Sequence, residues 1–350
     1  MSDRSLTRLL VSLASLVIVI AGLKAASGLL SPILLSLFIV LVCSPLLAWL
    51  RHKRVPGWLA YMIVILGVIA LGLVLVVFLG ISVAQLSEAL PQYRPLLETQ
   101  FALMQQQLAR FGIRQEDIFQ LDLINPGRII QLTIAFIRGL IGTLSNVGLT
   151  LFIFIYMLIG ASSFSNKLKR GLGARNPMLA RLTASSRSIS VYLLIKSWLG
   201  GMSGIGQTIL LLFLGVDFAV LWGVLSFLFN FIPNIGYVIA LVPPLVLALL
   251  EFGFVKAAIV FIGYALINNF FDVVVGPRYL GRGLDLSTLT TFLAVILWTW
   301  ILGPIGAFLA LPLTVLIKKL ALETFPDSQI LATLIGAGDS EDTIDEKIQK

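Results

Sequence analysis

Eight long apolar runs constrain this chain more than any other feature: Leu9 to Leu23, Gly28 to Leu50, Trp58 to Val83, Gly139 to Ala161, Val191 to Leu214, Phe218 to Leu250, Phe254 to Val275 and Leu286 to Ile317. Several reach the roughly 20 residues that cross a hydrocarbon core about 30 Å thick as a helix. The runs are continuously apolar, whereas strands of a membrane β-barrel alternate with period two over about ten residues. The expected fold class is therefore all-α, a polytopic integral membrane protein. Composition agrees, since 58% of the residues are hydrophobic and 12% charged. A soluble globule cannot hide that much apolar surface behind so few charges.

The formal charge of +8 points to membrane boundaries rather than to nucleic acid. Residues 163–190 carry Lys167, Lys169, Arg170, Arg175, Arg181 and Arg187 with no acidic residue, which marks this loop as cytoplasmic. Residues 84–138 balance Arg94, Arg110, Arg114, Arg128 and Arg138 against Glu88, Glu98, Glu116, Asp117 and Asp122, as expected of an extracytoplasmic region. Within it Leu96, Phe101, Leu103, Met104, Leu108 and Phe111 recur at three- and four-residue spacing. They predict an amphipathic helix that caps the outer mouth or packs between subunits of a homo-oligomer.

Residues 1–27 also carry features of a secretory leader, with Arg4 and Arg8 ahead of a short apolar run. The second run follows at once and ends at Arg51-His52-Lys53-Arg54, so a helical hairpin with both ends cytoplasmic is the better reading. Four parts result: an N-terminal hairpin and third span (1–83), a hydrophilic outer helical region (84–138), a transmembrane core with the basic loop (139–320), and an acidic tail (321–350). Both termini are expected in the cytoplasm.

Two of the runs are too long for one simple span and are interrupted midway. The first contains Asn230, Pro233, Asn234, Gly236, Pro243 and Pro244; the second contains Gly303, Pro304, Gly306 and Pro312. Proline removes a backbone donor and clashes with the preceding turn, and irregular backbone at membrane depth survives only inside protein or beside a watery cavity. The two breaks resemble each other, Pro233-Asn-Ile-Gly236 against Pro304-Ile-Gly306. Paired interrupted segments point to a transporter site built from discontinuous helices, and also fit two kinked spans. Both runs either cross or form re-entrant hairpins, and Arg278 and Arg282, better placed inside, favour the hairpins.

Between the breaks lie Asn268, Asn269 and Asp272. A carboxylate in an apolar helix is expensive and marks an ion or substrate path unless it sits at an interfacial helix end. Gly276-Pro277 is expected to end that helix just beyond it. Gly200 and Gly204 predict close helix packing, and Lys196 is expected to snorkel to the inner interface. One cysteine, Cys43, and one histidine, His52, exclude an intrachain disulfide and a Cys/His metal site. No phosphate loop or catalytic signature is present, so neither an enzyme nor a resident cofactor is expected.

The segments Phe231-Ile-Pro233-Asn-Ile-Gly236, Pro277-Arg-Tyr-Leu-Gly281 and Gly303-Pro-Ile-Gly306-Ala-Phe-Leu-Ala-Leu-Pro312, in this order and spacing, resemble the AI-2E (autoinducer-2 exporter) transporter family over nearly the whole chain. The chain departs from that pattern where Asn268 and Asn269 precede Asp272, and where Ser287-Thr288 stands in place of a His-Pro pair. The resemblance implies a permease of the bacterial inner membrane that moves a small polar solute such as autoinducer-2, or exchanges sodium or lithium for protons. H+ or Na+ is then the coupling ion, and the partners are the bilayer and a small solute or monovalent cation. A passive channel or a membrane scaffold is the alternative.

Overall fold

In a computed structural model the described residues are 3–110, 139, 142, 146–173, 176–233, 235–280, 286–319 and 335–336. Among them the chain is helical without strands, a polytopic membrane protein. The helices are α1 (Asp3–Ala25), α2 (Ser27–His52), α3 (Gly57–Arg110), α4 (Val147–Leu172), α5 (Pro177–Leu214), α6 (Ala219–Phe229), α7 (Ile235–Phe252) and α8 (Phe254–Asn269). A π-helical segment, Phe270–Val275, joins α8 to α9 (Gly276–Leu280), and α10 (Thr288–Leu302) and α11 (Pro304–Ile317) follow. Five helical stretches are long and apolar enough to cross a bilayer, and the shorter α6, α10 and α11 are equally apolar. The outer surface is apolar too: Phe213 is 90% exposed and Phe254 80% exposed, positions that only lipid makes tolerable.

Local chemistry sets the helix ends. Asn176 caps α5 by accepting from the Met178 amide at 2.8 Å, with Pro177 at the first helical position. Gly215, in the left-handed conformation, closes the same helix. Helix α3, with 54 residues, is about 81 Å long, so its C-terminal part projects beyond any bilayer. The expected amphipathic stretch from Leu96 continues α3 as far as Arg110; residues 111–138, the acidic tail and Asn234 fall outside the described residues.

Both interrupted runs fold as helix–turn–helix hairpins, α6–α7 and α10–α11. In each, a glycine seats the first turn of the returning helix on a carbonyl of the outgoing one. A Cβ at Gly236 would strike the Phe229 carbonyl, and one at Gly306 would strike the Trp298 carbonyl. The likeness of the two motifs is thus a shared turn geometry. At the second tip Gly303 has φ +70° and ψ −153°, a region open essentially to glycine alone, and Pro304 then starts α11.

The hairpins have opposite orientations. Helix α2 runs to His52 and α3 returns antiparallel beside it, with Arg51 donating to the Tyr61 hydroxyl at 3.1 Å, so Tyr93 of α3 and the α1–α2 turn lie toward the same face. The open end of α6–α7 is tied to that face: the Tyr93 hydroxyl lies 2.8 Å from Asp217 Oδ2 and 3.1 Å from Glu251 Oε1. For α10–α11 it is the tip that points there, since Ser31 Oγ donates to the Leu302 carbonyl at 3.2 Å and Lys24 stacks on Trp300. The tip of α6–α7 packs against the body of α10–α11 inside the protein, where Phe231 stacks on Phe308 with ring centroids 5.8 Å apart and Ile232 packs among Ala294, Val295 and Trp298; the second tip is itself exposed at Pro304.

Three expected breaks are absent. Pro243 and Pro312 lie inside continuous helices, as proline does where neighbouring helices enclose the freed carbonyls. Pro277 does not end its helix either, because the π-helical segment just before it widens the turn and accommodates the missing donor.

Helix α6 docks on α5 through glycines. A Cβ at Gly204 would lie 2.6 Å from the Gly223 carbonyl, whereas one at Gly201 meets nothing within 4 Å. Gly204→Ala should therefore destabilise the protein by about 1–3 kcal/mol while Gly201→Ala is neutral or mildly stabilising, a contrast that thermal unfolding in detergent measures.

Candidate functional site

An interior ion pair sits where α5 crosses α8. Lys196, about midway along α5, donates to Asp272 Oδ1 at 2.7 Å, with the two side chains 13% and 29% exposed. Sequence reasoning placed Lys196 at the interface as a snorkelling cation. Its real partner lies 76 positions away and is reached because α5 and α8 run antiparallel in a register that brings these two side chains together. Asp272 stands on the π-helical segment, an irregularity that often marks functional positions. The pair satisfies two charges that would each be costly alone at this depth.

The other sequence candidates divide around this pair. Asn268, half-buried, is one turn before Asp272 on α8. Asn269 is exposed, and its amide donates to the Ala265 carbonyl at 2.9 Å, so it turns away from the interior. Asn230 closes α6 and is buried against α5, where a Cβ at Gly200 would lie 3.1 Å from its Cβ. Gly200 is one turn from Lys196, so the tip of the α6–α7 hairpin and the ion pair are neighbours. Pro233 and Gly236 form that tip, and Gly303, Pro304 and Gly306 form the tip of the second hairpin. Among the described residues no group of His, Cys, Asp and Glu side chains could hold a metal ion.

A second polar cluster escaped the sequence reading because its members come from three separate segments. Tyr93, Asp217 and Glu251 meet as described above, and the Asp217 amide faces Glu251 Oε2 at 3.4 Å. Beside them Lys256 donates to the Leu214 carbonyl at 2.9 Å and lies over the Phe252 ring. The cluster fastens the open end of α6–α7 to α3, away from the interior ion pair.

The sequence that builds this site has counterparts among known proteins. A family model described as "AI-2E family transporter" matches residues 13–325. The chain belongs to the AI-2E transporter family. Among its relatives, "AI-2 transport protein TqsA" of Escherichia coli (strain K12) is 34% identical over 94% of this chain and 95% of that protein. A "Putative transport protein" of Haemophilus influenzae is 33% identical over 96% of this chain and 98% of its own length. "Putative transport protein YhhT" of Escherichia coli (strain K12) is 30% identical over 96% of both chains. AI-2E membership makes this a multi-pass membrane transporter.

Removing one partner of the ion pair leaves the other uncompensated. Partial exposure of Asp272 moderates the cost, so Lys196→Met should destabilise the protein by about 1–3 kcal/mol. Adding Asp272→Asn should recover most of that loss, and a double-mutant cycle in detergent measures the coupling.

Proposed function

We propose that this protein is a secondary transporter of the bacterial inner membrane that moves a small polar solute, such as autoinducer-2, or exchanges sodium or lithium for protons. The observation that carries the reading is the Lys196–Asp272 pair beside the tip of an interrupted helix. Such a pair is a competition device: a proton or a sodium ion reaching Asp272 takes the place of the Lys196 ammonium, and its departure restores the pair. Occupancy of the carboxylate then alters the contact between α5 and α8, next to the point where the α6–α7 tip rests. The opposed hairpins supply one gate to each side. Transport needs no resident cofactor in this scheme, and H+ or Na+ provides the coupling. Both termini and the basic stretch 163–190, which spans the end of α4 and the start of α5, face the cytoplasm, with residues 84–138 outside, which the charge distribution supports.

Two measurements test this. In proteoliposomes under imposed proton and sodium gradients, flux should follow the gradients in the wild type and lose its ion dependence in Asp272→Asn, which still folds because the isosteric amide is cheaper to bury than a carboxylate and its oxygen still accepts from the Lys196 ammonium. Unchanged ion dependence in that variant refutes the coupling role, and flux that no gradient drives identifies a passive channel instead. On a Cys43→Ser background, cysteines at 217 and 251 should label from the outer face and a cysteine at 278 from the inner face. Opposite faces for 217 and 251 would eliminate the hairpin.

A further inference from the structure

Among the described residues, five buried side-chain oxygens have no hydrogen-bond partner of good geometry: Ser203 Oγ, Gln207 Oε1, Ser226 Oγ, Asn230 Oδ1 and Tyr264 Oη. Each of these residues is at most 9% exposed. They are not scattered. On α5, Lys196, Gly200, Ser203 and Gln207 are spaced four, three and four apart and share one face. On α6, Ser226 and Asn230 are one turn apart, and Asn230 rests on Gly200. The Tyr264 hydroxyl of α8 and the Ser226 hydroxyl lie close enough to interact but short of good hydrogen-bond geometry, and Tyr264 stands two turns before Asp272. The oxygens therefore line one seam between the α6–α7 hairpin and the α5/α8 pair. The seam begins beside Lys196–Asp272 and ends under an apolar collar of Leu211, Leu221, Trp222 and Leu225.

A buried oxygen without a partner forfeits its hydration and gains nothing in return, and five along one seam make the closed arrangement costly. Water or a hydrogen-bonding solute removes that cost. We propose that this seam is the solute path: it opens from the Lys196–Asp272 end when the hairpin parts from α5 and α8, fills with water, and presents these five oxygens to the transported molecule. The proposal rests on the transporter reading above and divides the labour within it. The ion pair takes the coupling charge and the seam takes the solute. All five oxygens are uncharged, and the adjacent Lys196 and Asp272 charges neutralise each other, so the path suits an uncharged hydrogen-bonding solute.

Thiol chemistry on the full-length protein in sealed vesicles tests this, with Cys43→Ser as background. Ser226→Cys and, separately, Ser203→Cys place a thiol in the seam. Val260→Cys places one at an equally buried position of α8 in the apolar core. Hydroxyethyl methanethiosulfonate, a neutral hydrophilic reagent, should modify both seam thiols at least about tenfold faster than the Val260→Cys thiol, and only from the face bearing the 163–190 loop. Its cationic trimethylammonioethyl and anionic sulfonatoethyl analogues should react more slowly. Gln207→Leu should slow the seam reaction while leaving Tm unchanged or raised, because it removes an unpartnered oxygen; a merely structural glutamine would lower Tm. Seam thiols no more reactive than the core control, or reactive only from the opposite face, overturn the path, and equal rates for the charged reagents overturn its preference for uncharged solutes. Ion-coupled flux with a dry seam leaves the transporter reading standing and sinks the path. A wet seam without ion-coupled flux does the reverse.

Discussion

A backbone amide or carbonyl at membrane depth must find its partner inside the protein, and the core of this molecule is arranged around that requirement. Two chain reversals lie far from either end of their hairpins. At the first the Ile232 amide donates to the Phe229 carbonyl at 2.8 Å and the Gly236 amide to the Ile232 carbonyl at 3.1 Å. At the second the Gly303 amide reaches Thr299 and the Gly306 amide reaches Gly303, each at 2.9 Å. What these turns leave over is screened from lipid by packing the hairpins against each other and against α2, with Phe231 between Phe38, Phe227 and Phe308. The opposed orientation of the hairpins serves the same need at the first reversal, which the body of α10–α11 covers, while the second reversal lies beside the α1–α2 turn, where Ser31 donates to the Leu302 carbonyl.

The parts of this arrangement legible in the sequence are those that depend on local pattern. Continuous apolar runs become helices because only helix satisfies its own backbone in lipid. Pro233-Asn-Ile-Gly236 and Pro304-Ile-Gly306 stand out as related because both need a donor-free residue at the reversal and a residue without Cβ where the helices touch. Gly200 and Gly204 read as packing residues and are seated against Asn230 and Gly223. Asp272 stands out because a carboxylate in an apolar helix is rare.

Other features were hidden because they depend on long-range register. Lys196 flanks Trp198 in an otherwise apolar stretch, which by itself looks like an interfacial anchor. Only the antiparallel alignment of α5 with α8 converts it into the partner of Asp272. Tyr93, Asp217 and Glu251 carry no local signal, being 124 and 158 positions apart in their two contacts. Proline was over-read for a related reason: Pro243, Pro277 and Pro312 interrupt a hydrogen-bond ladder on paper, yet neighbouring helices and one π-helical turn absorb the interruption.

The two ends of the α6–α7 hairpin differ in what can loosen them. At its open end one phenolic proton is shared between two carboxylates that are partly open to solvent, so water competes for the contact and its net worth is small. Near its tip Asn230 keeps an unpartnered oxygen and rests against Gly200, one turn from a paired ammonium and carboxylate. Separating that pair leaves two charges without their partner, a cost that the partial exposure of Asp272 moderates. Opening is therefore favoured when water, a proton or a cation arrives, and the neighbouring seam of uncharged oxygens offers a polar route for water. In the proposed scheme charge at the pair and hydration of the seam are thus linked, each lowering the cost of the other, and the hairpin that bounds the seam is the element whose position that linkage controls.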